Sequence, residues 1–142
     1  MGTQQILLIV LSVIIVGIAV AVGITMFNQQ AFTSNRSACI SDMNMFAQQA
    51  QAWYKTPPTH GGKGSGTIVP ATDLDDLVEW IGFSDNATGE YELATGNGQF
   101  DLALTATTLT ITANGNEPSV DPQLVLTFAD GDTDVTIDTT SS

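Results

Sequence analysis

The sequence predicts an α+β chain: a long N-terminal α-helix, apolar in its first half and amphipathic in its second, packed on a C-terminal antiparallel β-meander. Three observations predict it. An uncharged apolar run covers Ile6 to Phe27, no Pro occurs before Pro57, and the apolar period changes to two after Gly89. The expected organisation is a long helix over residues 1–55, a loop and short helix over 56–88, and a sheet over 89–142.

The run ILLIVLSVIIVGIAVAVGITMF is relieved only by Ser12, Gly17, Gly23 and Thr25. At about 1.5 Å per residue it spans a hydrocarbon core of roughly 30 Å as one helix. A cleavable signal peptide fits it poorly, because the apolar core is too long and no Lys or Arg precedes it. Arg36 is the first charged residue, so the positive-inside rule leaves orientation undetermined.

Beyond Phe27 the helical period continues. Phe32, Cys39, Met43, Phe46, Ala50 and Trp53 recur at spacings of three, four or seven and form one stripe, with Asn44, Gln48, Gln49 and Gln51 assigned to the opposite, polar face. The five stripe residues from Cys39 to Trp53 are the expected packing surface for the sheet. The first half of this helix, apolar all round, has to be buried in lipid or in other copies of itself.

Pro57-Pro58 ends the helix, and PPTHGGKGSG reads as a flexible Gly-rich loop. It lacks the preceding strand and the Lys-Ser/Thr ending of a phosphate-binding loop. Thr72 to Ile81 reads as a short helix with Thr72 and Asp75 as a capping pair, Leu74, Leu77, Val78 and Ile81 as its apolar face and Gly82 as its end.

Alternation then marks four or five strands, carried by Tyr91 and Leu93, by Phe100, Leu102 and Leu104, by Leu109 and Ile111, by Leu124, Leu126 and Phe128, and by Val135 and Ile137. Turn chemistry separates them at Thr95-Gly96-Asn97-Gly98, Asn114 to Pro118 and Asp130-Gly131. A parity shift between Leu104 and Leu109 places a tight turn or bulge near Ala106-Thr107.

This layout resembles the type IV pilins and their pseudopilin relatives. The resemblance rests on the N-terminus MGTQQILLIVLSVIIVGIAVAVGI, the uninterrupted helix to about Lys55, and the loop, short helix and strands that follow. It implies a helix that sits in the membrane before assembly and in a filament core afterwards, with Ile6, Leu7, Val10, Val13, Ile14, Gly17, Val20, Gly23 and Phe27 in that core. It also implies contact between the N-terminus of one subunit, Met1, and the fifth residue of its neighbour. The family usually has Glu there; this chain has Gln5, whose amide can still accept a hydrogen bond from an ammonium group. Met1 is either a terminus left by removal of a leader or the initiator. The expected partners are other copies of the chain in a helical homopolymer, the membrane before assembly, and the pilus assembly machinery.

Composition sets further bounds. The 142 residues carry 15 Asp and Glu against 3 Lys and Arg, a net charge of −12. Such a chain lacks the cation clusters that bind nucleic-acid phosphates and suits neither DNA nor an anionic membrane surface. An acidic, Lys-poor surface does fit a salty environment. Cys39 is alone, so no intrachain disulfide forms, and it reads as a small buried apolar residue. His60 is the single histidine and reads as a solvated loop residue. No nucleophile elbow or His-Cys cluster occurs, so neither catalysis nor a cofactor is expected.

No metal site is expected either. The nearest approach is Asp130, Asp132 and Asp134, carboxylates at alternate positions that fail the EF-hand pattern and coincide with an Asp-Gly hairpin signal. Asn35 and Asn86 begin glycosylation sequons. The aromatic residues Phe27, Phe32, Phe46 and Trp53 read as packing rather than as a conduction path.

The function expected is that of a structural subunit of an extracellular type IV pilus-like filament, present in the membrane before assembly and serving adhesion, motility or surface attachment. Two rivals are a single-pass anchored β-domain that binds or tethers, and a pseudopilin of a secretion system.

Overall fold

The computed structural model describes residues 2–85, 91–116, 120–128 and 132–138. The elements in order are helix α1 (Gly2–Lys55), a single 3-10 turn (Pro58–His60), helix α2 (Pro70–Ile81) and strands β1 (Ser84–Asp85), β2 (Tyr91–Thr95), β3 (Gly98–Leu104), β4 (Thr108–Gly115), β5 (Asp121–Thr127) and β6 (Asp132–Asp138). The class is α+β, as the periodicity predicts. Two compact units divide the chain, Met1–Ser34 and Asn35–Ser142.

The first unit holds the apolar part of α1. Gly17 and Gly23 do not interrupt the helix. The two hydroxyls within the run are satisfied by the backbone: Ser12 Oγ donates to Leu8 O at 2.7 Å and Thr25 Oγ1 to Ala21 O at 3.0 Å. Neither therefore presents an unsatisfied donor to an apolar surrounding.

The second unit is an antiparallel sheet in the order β1-β2-β3-β4-β5-β6, with α1 from Asn35 onward covering one face. Every strand pairs with its sequence neighbour, so the sheet is a simple meander. Among the described residues it has six strands, against the four or five expected. The two residues of β1, paired as Ser84↔Glu92 and Asp85↔Tyr91, are too short to show a period in sequence.

The central strands alternate between buried and accessible positions, a pattern broken only at the end of β4, where Asn114 and Gly115 are both accessible. The register stacks Phe100 opposite Ala113, Leu102 opposite Ile111 and Leu104 opposite Leu109, then Leu109 opposite Leu126 and Ile111 opposite Leu124. A large ring faces a small side chain at Phe100 and Ala113, which keeps the layer level. Phe100, Leu109, Ile111 and Leu124 are fully buried. In β2, by contrast, Tyr91 and Leu93 are half-buried without clean alternation.

The parity shift between Leu104 and Leu109 is a tight turn and not a bulge. Thr105 N donates to Thr108 O at 2.8 Å, and Leu104 and Leu109 stand directly opposite. The proposed Asp130-Gly131 turn and the Glu117-Pro118 part of the preceding one lie outside the described residues.

Two expectations about α2 need correction. It starts at Pro70, not Thr72, because Pro at the first position has its φ preset and lacks only an N–H that the helix would leave unpaired. The cap is not a Thr72–Asp75 pair. Asp73 Oδ2 accepts from Val69 N at 2.6 Å, while Asp75 accepts from the Tyr91 hydroxyl. Gly82, left-handed at φ 91°, ends the helix as expected.

The Gly-rich segment, expected to be a flexible loop, folds back as a cap for α1. Lys63 N, Gly64 N and Ser65 N donate to Trp53 O, Thr56 O and Tyr54 O at 3.0, 2.7 and 2.7 Å, satisfying carbonyls that a helix end leaves unpaired. The glycines make this closeness possible. A Cβ at Gly62 would collide with the Thr56 backbone, and Gly64 combines φ 68° with Pro58 Cδ 2.7 Å from where a Cβ would lie.

Candidate assembly segment and the surface that carries the sheet

The apolar run is exposed along its whole length. Ile6 is 62% accessible, Val13 67%, Val20 55% and Phe27 73%, and Leu7, Val10 and Ile14 are likewise exposed. Because these residues lie on every side of the helix, no single face can be turned inward. Gly17 and Gly23 have no atom within 4 Å of a would-be Cβ, leaving room for another backbone to approach. Gln5 is exposed in the first turns, and Met1 lies outside the described residues.

The second half of α1 is placed differently. Cys39, Met43, Phe46, Ala50 and Trp53 are all buried, joined by Ala47, which the stripe reading omitted. Phe46 sits between two rings, Phe83 at 5.1 Å and Phe100 at 5.2 Å between centroids, both edge to face. Trp53 and Tyr54 both meet Phe128, at 6.4 and 5.1 Å. Phe32, counted on the same stripe, belongs to the first unit and is half-buried.

Gln51 departs from its assigned polar face. It is half-buried, its amide nitrogen reaches Phe128 O at 3.5 Å, and its Oε1 finds no hydrogen-bond partner among the described residues. The indole N–H of Trp53 is equally without a partner among them.

A polar clamp at the other end of this helix half had no counterpart in the sequence reading. The tip of the β2–β3 hairpin, Asn97, is held by three residues spaced one turn apart on α1. Asn35 Nδ2 donates to Asn97 O at 2.9 Å, the Cys39 thiol reaches the same oxygen at 3.5 Å, and Asn97 Nδ2 donates to Asp42 Oδ2 at 2.8 Å. Burial, and after it the neighbouring Asp42 carboxylate, pushes the Cys39 thiol above its ordinary range, so it stays protonated at neutral pH.

The clamp bears on the Asn35 sequon, because the nitrogen that would carry a glycan is engaged with Asn97. Asn86 and Asp130 lie outside the described residues. Asp132 and Asp134 fall in β6, opposite Thr127 and Val125. Among the described residues no group of three or more His, Cys, Asp or Glu is arranged to hold a metal ion. His60 and Trp80 border an open groove of about 530 Å³ beside the carboxylates of Asp76 and Glu79.

Among the described residues, one helix, α1, is long and apolar enough to cross a membrane, and its apolar part is not buried. No protein-family model matches the chain, and no curated protein or solved structure matches it. Fold and segment together define a class: an α+β chain whose long apolar N-terminal helix leads into an antiparallel sheet, an architecture compatible with a pilin-like, membrane-anchored or filament subunit.

Proposed function

We propose that this chain is a structural subunit that polymerises through its apolar N-terminal helix into an extracellular, type IV pilus-like filament, passing through a membrane-inserted pool beforehand. One observation carries the reading: apolar side chains are exposed on all sides of residues 6–27, and the same helix continues unbroken into the half that carries the sheet. Covering the large apolar residues of that run is worth on the order of 30 kcal/mol, more than the stability of an ordinary domain. The chain therefore requires a second environment for it. Lipid supplies one before assembly, and a bundle of neighbouring helices supplies the other.

In the bundle, contact falls at the small positions Ser12, Gly17, Ala19, Ala21 and Gly23, where backbones can approach. The acidic sheet domains form the outer surface. The role is structural, with no catalytic step, cofactor or nucleic-acid contact assigned to this subunit, and the assembly machinery acts as a partner during insertion and extraction.

A single-pass anchor for a binding domain is the second reading, and Gln5 favours it, because no carboxylate stands at the position where the pilin family places its intersubunit ion pair. Electron microscopy of sheared cell-surface material, combined with intact-mass measurement of the subunit, tests the choice. Filaments composed of this chain support polymerisation. A chain found only as membrane-bound monomer overturns it in favour of the anchor.

A further inference from the structure

Helix α2 leaves a large ring in water. Trp80 is 41% accessible, although Leu77 and Val78 on the same helix are buried. Its indole lines the open groove of about 530 Å³ together with Pro58, Gly61, Asp76 and Glu79. Gly61 is left-handed at φ 82°, and a Cβ there would lie 3.9 Å from the ring, so the turn that follows α1 lies against the indole.

The two carboxylates of the groove are not compensated within their own fold. Both are exposed, and among the described residues neither is paired with a cation. They stand three apart on one helix face, where like charges repel. Glu79 lies in the last turn of α2, which holds no basic residue and where the helix dipole disfavours negative charge.

An indole flanked by two carboxylates suits one kind of side chain: an alkyl stem that lies along the ring and ends in a cation. Each copy of the chain presents one that is unused. Lys63 is committed to Asp73 at 2.6 Å, and Arg36 is half-buried. Lys55, in the last turn of α1, is exposed and meets no carboxylate among the described residues.

Lys55 and the groove lie on different flanks of α1. Lys55 is one turn beyond Gln51, whose amide reaches Phe128 O just past β5. Helix α2 packs instead against β3, and Phe83, which follows it, meets the Phe46 ring. A contact between Lys55 of one copy and the groove of another is therefore head-to-tail, the kind that propagates into an open helical polymer unless rotation closes it into a ring.

We propose that the Trp80 groove is an intersubunit socket: Lys55 of a second copy lays its stem along the indole and its ammonium beside the Asp76 and Glu79 carboxylates. This rests on the filament reading above and adds to it a contact between the sheet-bearing halves, outside the apolar run. In a chain of net charge −12, it sets one of three basic residues against the acidic surface of the next copy, where copies otherwise repel.

The test uses the full chain, half of it labelled with heavy nitrogen, mixed in equal amounts in non-ionic detergent and polymerised by detergent removal. Carbodiimide, which joins amines only to carboxylates already in contact, is applied to the washed polymer, and cross-linked peptides are read by mass spectrometry. The expected product joins Lys55 to Asp76 or Glu79 with one half labelled and the other not. Polymer in which Lys55 is unlinked, linked elsewhere or linked only within one copy overturns the socket and leaves the filament reading standing. No polymer from the native chain overturns both. Lys55→Gln and Trp80→Ala should each lower pelleted polymer about fivefold, and Lys55→Arg should keep most of it, with melting temperatures near the native value because both side chains are exposed. Native polymer yield from both Lys55→Gln and Trp80→Ala overturns the socket.

Discussion

Replacing Phe46 by Ala tests whether the second half of α1 is the lid of the sheet. Phe46 is 3% accessible and lies edge to face between Phe83 and Phe100 at 5.1 and 5.2 Å. Removing a buried Phe costs about 3–5 kcal/mol through lost transfer and cavity terms, a figure that already includes the two ring pairs at about 0.5–1.5 kcal/mol each. A total near 4 kcal/mol is a large fraction of the roughly 5–15 kcal/mol that holds a small domain together. At about 4–8 °C per kcal/mol the expected fall in melting temperature is on the order of 20 °C. The assay is thermal unfolding of the full chain in non-ionic detergent, read in the near ultraviolet. Phe46→Leu, which restores most of the volume, should recover more than half of the loss. A Phe46→Ala chain within about 1 kcal/mol of the native stability would mean that the ring cluster does not secure the helix to the sheet, and the packing argument fails.

Other predictions follow from the same geometry. Asp at Val13 or Val20 should abolish filaments, because a charge buried in an apolar bundle costs several kcal/mol per copy and recurs in every subunit; normal filament yield from either variant would sink the core assignment. Asp73→Ala removes the 2.6 Å acceptor of Val69 N and the 2.6 Å partner of Lys63, and should cost about 2–4 kcal/mol in urea unfolding, with Asp73→Asn losing less. Gly62→Ala should cost about 1–3 kcal/mol, because the added methyl meets the Thr56 backbone and lifts the loop off the end of α1, seen as faster amide exchange at Gly64 and Ser65. The Cys39 thiol, raised by burial and then by Asp42, binds its proton more tightly folded than unfolded. Its contribution is therefore complete below the ordinary thiol pKa of about 8.5 and fades as pH rises toward the higher folded value. Melting temperature should fall above that point in the native chain and fall less in Cys39→Ala; identical alkaline limbs would refute the assignment.

The sequence by itself determined whatever depends on neighbours along the chain. An uncharged apolar run from Ile6 to Phe27 demands a non-aqueous surrounding in any fold. Helical spacing from Cys39 to Trp53 and alternation from Phe100 to Phe128 settle which side chains turn inward, because side-chain direction follows from backbone period alone. Gly82 marked its helix end for the same local reason.

Tertiary structure decided what depends on residues far apart. The Asn97 clamp joins partners 62, 58 and 55 residues distant, and no local pattern announces that Asn35, Cys39 and Asp42 will share one turn tip. Gln51 looked polar and is half-buried, its amide turned toward the backbone oxygen of Phe128, 77 residues away. The Gly-rich segment looked flexible and is a cap, because its amides meet carbonyls that only a finished helix end leaves open. β1 exists only as a partner for Tyr91 and Glu92. In each case hydrogen bonds made across the fold, and not propensity along the chain, chose the conformation.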